Sequence, residues 1–336
     1  RKELKWILMA FIMLVMLGVL FGEPEERPPI YADQPSNNTT LNESMSEDQD
    51  LLPEHISSDP QRDNLTVHFI DVGQGDSILV EYANETMLVD AGEREKGVNV
   101  SAFLREQGIS SLDYVVATHP HADHIGGLLT ILTEYPVGEF VDSGYPHTTQ
   151  TYEDMLTIIE NKSIPFHVAK RGEALDFAPG IQVQVLNPQK QRSEEINENS
   201  IVLRIIDNNV SFLLMGDAGL GTEESIMNEG YYVDSDILKV GHHASTSGSG
   251  ESFIAEVNPE ISIIEVGGDN DYGYPHSEVL ERLQNVSTVY RTDHHGTITV
   301  TTDGLTYTVI TERPLSDQNS IKNASSSLFP VIKAGK

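Results

Sequence analysis

Three histidines and one aspartate fall within six positions, at His119-Pro120-His121-Ala122-Asp123-His124. In extended backbone, residues i and i+2 point to the same side, so the imidazoles of His119 and His121 can meet one metal ion. Asp123 and His124 follow where the chain should turn into a helix, and a tight turn aims both at a second ion beside the first. Pro120 suits an exit loop, because a central strand needs the N–H it lacks. Gly126-Gly127 lets the backbone pass close to the site. One histidine after a strand is an ordinary capping or surface residue; three with an aspartate at the mouth of a sheet call for a metal. Ions held in this way activate water near neutral pH for attack on phosphorus or a carbonyl carbon. Two of them about 3.5–4 Å apart also stabilise the attacking and leaving oxygens of a phosphodiester.

The chain has no cysteine. Disulfides, thiolate ligands and a cysteine nucleophile are therefore excluded, and nitrogen and oxygen ligands suit Mn²⁺ as well as Zn²⁺. Of 336 residues, 52 are acidic and 21 basic, a formal net charge of −31. Such a balance favours a solvated surface, in a saline medium for example, and opposes binding a polyanion through counterion release.

Further polar stretches could hold a phosphate. "GHHASTSGSG" places His243, Ser245, Thr246 and Ser247 on a loop of small residues with accessible backbone N–H groups, leading into a helix start; it also reads as a flexible loop. His276, in "GYPHSEV", sits where a helix begins. It would contact phosphate or protonate a leaving group, unless it is ordinary helix-start chemistry. Arg291 is a candidate phosphate clamp or the ion-pair partner of Asp293. "VGQGDS" sets Asp76 between strands; its spacing is not that of a nucleotide fingerprint, and no helix follows.

These residues must be positioned by the elements around them. "LTVHFIDV", "SILVEY", "TMLVDAG" and "LDYVVATH" read as strands, with a helix from about Val98 to Gln107 and another in "IGGLLTILTEY". A strand near Glu139–Asp142 and a helix near Tyr152–Asn161 close the first half. The second half reads "SIVLRIID", "VSFLLMGDA", "DILKVGHHAS" and "ISIIEVG" as strands. "TEESIMNEG" and "SEVLERLQN" read as helices, and "TITVTTDGLTYTVI" as a hairpin about Asp303-Gly304. Strands opening both halves, with helices interspersed, predict two sheets packed face to face with helices outside.

The ends differ in composition. Residues 1–22 begin with basic residues and then run uncharged from Trp6 to Phe21. They read as an N-terminal membrane anchor, or as a signal peptide, with the remainder outside the cell either anchored or secreted. Residues 23–63 read as a disordered acidic linker, 64–312 as the hydrolase domain and 313–336 as a polar tail. Asn-x-Ser/Thr sequons recur, in keeping with an external location.

His119-x-His121-x-Asp123-His124 resembles the signature of the metallo-β-lactamase superfamily. "IDVGQGDSILV", "MLVDAG", "NENSIVLRI", "FLLMGDA", "LKVGHHASTS", "YGYPHSEVLERL" and "YRTDHHGTITV" resemble, in this order, the extracellular nuclease-like domain of the ComEC competence proteins and their stand-alone relatives. The likeness runs from roughly Leu65 to Ile310. It implies an αββα sandwich of two mixed β-sheets with outer helices, and two divalent ions, Mn²⁺ or Zn²⁺. His119 and His121 would hold the first ion, Asp123 and His124 the second. Asp217 would bridge them, unless it is a helix N-cap, and Asp123 would also orient the nucleophile. His242 is favoured as the last ligand of the second site, with His243 an outer catalytic group facing substrate; the reverse also fits. Asp90 would be a buried partner that orients a metal-bound histidine. The family's usual further histidine is missing, and Asn199 or water would fill the first site.

The resemblance implies an extracytoplasmic nuclease acting on DNA, linked to DNA uptake, with a separate transport channel as partner. The same fold also serves hydrolases of small phosphodiesters, lactones or cell-surface substrates. A non-enzymatic tethered binding module is the third reading, which the complete set of ligand residues disfavours.

Overall fold

The computed structural model describes residues 62–314. The proposed anchor, all of the linker but residues 62 and 63, and the tail beyond 314 lie outside the described residues. No helix among the described residues is long and apolar enough to cross a membrane.

Two mixed sheets form the centre, and helices cover their outer faces. The first sheet runs β1 (Leu65–Phe69), β2 (Ile78–Tyr82), β3 (Glu85–Val89), β4 (Leu112–Ala117), β5 (Val137–Asp142) and β6 (Phe166–Val168). The second takes β7 (Ala174–Ala178), β8 (Ile181–Asn187), β9 (Val202–Asp207), β10 (Val210–Leu214), β11 (Ile237–Lys239), β12 (Ile261–Ile264) and β13 (Thr288–Arg291). The C-terminal hairpin β14 (Ile298–Thr302) and β15 (Tyr307–Thr311) returns to the first sheet, where β14 pairs antiparallel with β1. Local patterning does not announce that long-range pairing.

Alternation in β1 explains its place: Leu65, Val67 and Phe69 join the core between the sheets, with Phe212, Leu203 and Ile263 from the other side. A second cluster lies under α1 (Gly97–Glu106), α3 (Leu128–Glu134) and α4 (Gln150–Lys162), and a third under α5 (Leu220–Asn228), α6 (Glu251–Val257) and α7 (Ser277–Gln284). Sequence cues set the helix ends. The Thr149 hydroxyl accepts from the Tyr152 N–H at the start of α4, and Ser163 closes it in left-handed backbone. In α7, Val279 and Leu283 form the buried stripe.

β3, β4, β5 and β6 are mutually parallel, and so are β10, β11, β12 and β13. The two parallel sets bring their C-terminal ends to one edge of the sandwich. Open α/β sheets bind ligands beyond such ends. Asp90 follows β3, His119 to His124 follow β4 and enter the short α2 (Ala122–Ile125), Asp217 follows β10, and His242 and His243 follow β11.

Candidate metal centre

The residues at this edge face one another. Asp217, nearly fully buried, stands between two groups of donors. Its Oδ1 is 3.3 Å from His124 Nε2 and 3.5 Å from His243 Nε2. Its Oδ2 is 3.7 Å from His119 Nε2 and 3.8 Å from His242 Nε2. Asp123 Oδ2 completes the first of these groups, 3.5 Å from His243 Nε2 and 3.9 Å from His124 Nε2. His121 joins the other, its Nδ1 3.0 Å from His119 Nε2.

The protons behind the rings point the same way. His124 Nδ1 donates to Asp90 Oδ2 at 2.8 Å. His243 Nδ1 donates to the Glu265 carbonyl at 2.8 Å. His119 Nδ1 reaches the Thr118 hydroxyl at 3.1 Å, and that hydroxyl gives its proton to Asp90 Oδ2 at 2.5 Å. His242 Nδ1 meets Ser247 Oγ at 2.7 Å, which donates onward to Ser245 Oγ at 3.1 Å. Four imidazoles thus commit Nδ1 to an acceptor and turn Nε2 to a shared space, the arrangement that prepares a neutral ring for a metal. Among the described residues, His124 Nε2, His243 Nε2 and Asp217 Oδ1 are buried atoms without a hydrogen-bond partner. Such orphans are costly unless something pairs with them. Tetrahedral ligands at metal-bond distances of about 2.0–2.2 Å lie roughly 3.4 Å apart, close to the spacings here. The donors therefore fit divalent ions, and their chemistry is nitrogen and carboxylate oxygen.

The charges agree. Burial lowers the His119, His121 and His242 imidazoles below their ordinary value. At His124 burial is outweighed by the carboxylates of Asp217, Asp123 and Asp90, which hold the ring well above it. Asp217 opposes its own burial through His243 and His124, and Asp123 through His124 and His243; both stay below the usual carboxylate range. The cluster therefore calls for positive charge, which protons supply when no cation does.

Several expected placements differ. His243, not His242, stands with Asp123 and His124, while the half-buried His242 turns to the other oxygen of Asp217. The cause is backbone: His242, His243 and Ala244 have φ of 49°, 52° and 63°, a left-handed turn that swings the second ring inward. Left-handed backbone costs roughly 1–2 kcal/mol per non-glycine residue, so the turn is strain held in place by the surrounding structure. Asn199 does not face the donors; its amide binds Ser193, Glu195 and Ile196 of its own loop. Arg291 is occupied by Asp293, with Nε 3.0 Å and Nη2 2.5 Å from its two oxygens. His276 Nδ1 accepts from the Thr246 N–H at 2.9 Å, which turns Nε2–H outward as a donor suited to a phosphate oxygen. Ser245 is buried and shapes the loop, whereas Thr246 is exposed.

Asp76, His124 and His243 also offer atoms close enough for a metal. Asp76 lies behind the rings, however, on the side of their committed Nδ1 atoms, and its Oδ2 accepts from Lys239 Nζ at 2.6 Å. Lys239 and Glu265 escaped the sequence reading. Both are fully buried; burial, with Asp76 beside it, pushes the Glu265 carboxyl well up. A charged residue inside an apolar strand run, in "DILKVG" and "ISIIEVG", was the available signal. The second glycine of "VGQGDS" has a steric reason: a Cβ on Gly75, at φ +115°, would lie 2.0 Å from the Asp123 carbonyl oxygen.

Residues 70–267 match the family described as the Metallo-beta-lactamase superfamily. ComE operon protein 3 of Bacillus subtilis (strain 168) is 34% identical over 252 residues, covering 69% of this chain and 32% of that protein. Recombination protein 2 of Haemophilus influenzae is 29% identical over 222 residues, 65% of this chain and 26% of the relative. Competence protein ComA of Neisseria gonorrhoeae is 30% identical over 217 residues, 64% and 29% respectively. The chain spans about a third or less of the length of these relatives.

Proposed function

The chain belongs to the metallo-β-lactamase superfamily, and from that premise we propose that it is a metal-dependent phosphodiesterase, a nuclease acting on DNA outside the cell. The observation that carries the proposal is the sharing of Asp217 between two donor groups, each with Nε2 atoms turned toward it. His119, His121, Asp217 and His242 would hold one divalent ion, and Asp123, His124, Asp217 and His243 the other, Mn²⁺ or Zn²⁺. Bound there, such a pair supplies Lewis acidity for water and for both reacting oxygens of a phosphodiester.

The chain's own groups do the remaining work. Asp123, ionised and with 22% of its side chain exposed, hydrogen-bonds the attacking water and orients it toward phosphorus. His276 Nε2–H and the exposed Thr246 contact a non-bridging oxygen. Asp90, Glu265 and Ser247 keep the imidazoles in one tautomer.

The names of two relatives, Recombination protein 2 and Competence protein ComA, support DNA as the polymer. In this proposal residues 1–22 tether the catalytic domain at the cell surface, and a separate channel takes up the product. The acid excess favours a second reading, a small phosphodiester, lactone or cell-surface substrate, because polyanions are repelled. One experiment separates them. The full chain is stripped of metal, reloaded with Mn²⁺ or Zn²⁺, and given single-stranded DNA and bis-p-nitrophenyl phosphate, with Asp123→Ala as control. Cleavage of DNA that the control lacks is the expected result. Turnover of the small diester alone would favour the second reading, and turnover of neither by the loaded protein would overturn both phosphodiesterase readings.

A further inference from the structure

We propose that Tyr272 and Tyr274 form a stacking platform for an unpaired nucleobase, so that the substrate is a single strand held through its bases. This rests on the nuclease reading and narrows it. The two rings lie nearly parallel, 13° apart with centroids at 5.3 Å. Tyr274 is the inner ring: its hydroxyl is 3.3 Å from His242 Nε2, and its centroid is 5.5 Å from the His242 ring and 6.1 Å from that of His243. The rings thus lead outward from the donor cluster to Tyr272, which is 63% exposed.

The loop that carries them is held in advance. Asn270 Oδ1 accepts from the N–H groups of Tyr272 and Tyr274 at 3.1 and 3.0 Å, and its amide donates to the carbonyls of Gly267 and Tyr274 at 2.7 and 2.8 Å. A ring fixed in this way loses little freedom on binding. Among the described residues, Tyr232 is the one other tyrosine this exposed, and it has Arg204 over its ring at 4.9 Å. Tyr272 has Tyr274 on one face and, among the described residues, no ring or cation on the other.

Charge selects the ligand. With 52 acidic against 21 basic residues, and with Arg291 engaged by Asp293, the chain has little to offer a phosphate backbone beyond the centre itself. Base stacking needs no cation and is tolerant of sequence, since every base has a π-face. A duplex hides those faces, so the platform reads an unpaired strand.

The test compares kcat/KM of the metal-loaded full chain on a twelve-residue oligothymidylate and on an abasic strand of the same length, for wild type, Tyr272→Phe and Tyr272→Ala. Wild type and Tyr272→Phe should prefer the strand with bases by about fivefold or more, and Tyr272→Ala should lose that preference. A merely structural Tyr272 would lower both strands alike in the alanine variant; a preserved ratio overturns the platform. If wild type cleaves neither strand, the nuclease reading falls separately. Fluorescence anisotropy of the labelled oligothymidylate then decides: weaker binding by Tyr272→Ala alone supports the platform, and equal binding by all three proteins overturns it.

Discussion

Asp90→Asn isolates the proton arrangement from the ligands themselves. Asp90 touches no donor space directly; it accepts from His124 Nδ1 at 2.8 Å, the Thr118 hydroxyl at 2.5 Å and the Thr118 N–H at 2.9 Å. Its φ is 57°, a left-handed conformation that asparagine tolerates better than most residues, so the backbone should stay. Keeping the Thr118 N–H bond points the new amide NH₂ at His124 Nδ1. The ring must then accept there and carry its proton on Nε2, facing Asp217, where a metal would bind. Loss of such an orienting partner costs about 10–100-fold in metal affinity, or about 1.4–2.7 kcal/mol. In the metal-free protein the amide removes one of the three carboxylates that hold the His124 proton, so the fold should persist with lowered stability. Chelator competition with Mn²⁺ or Zn²⁺ on the stripped full chain reads the affinity, and a melt of the metal-free protein reads the fold. Wild-type affinity in a normally folded variant would refute the tautomer argument.

The two adjacent histidines give a sharper contrast. His242→Ala and His243→Ala should each lose about one equivalent of bound metal and Asp217→Ala both, by elemental analysis of folded protein; the same loss in all three would deny two separate groups. Asp142 predicts a pH effect. Burial raises its carboxyl from 3.8 to about 6, so the native state binds the extra proton between those values and stability falls as pH rises through that window. Asp142→Asn should remove that slope and raise stability above pH 7 by up to about 3 kcal/mol, with little change near pH 4; parallel melting profiles against pH would contradict it. Phe212→Ala empties the core between the sheets and should cost about 3–5 kcal/mol in urea unfolding, whereas a loss under 1 kcal/mol would mean that the sheets close over the gap.

The donor cluster after β4 could be read from sequence because its signal is local: i, i+2 spacing on an extended exit, then a tight turn. The order of His242 and His243 could not, since two adjacent histidines are equivalent until left-handed backbone separates them. Asn199 misled for the opposite reason, an amide whose partners are its own loop. β6, β7 and β8 went unread, although "IQVQVLN" alternates as an edge-to-core strand should. The return of β14 to β1, and the meeting of Lys239 with Asp76 and Glu265 behind the rings, are contacts between distant segments for which one sequence carries no register.

The central claim is that Asp217 joins two ions. Equilibrium dialysis of the stripped full chain against Mn²⁺, followed by electron paramagnetic resonance of the loaded protein, tests it most directly. The account predicts two equivalents and an exchange-coupled spectrum, replaced in Asp217→Ala by loss of the coupled signal. One equivalent with the six-line spectrum of an isolated ion, or none, would contradict it.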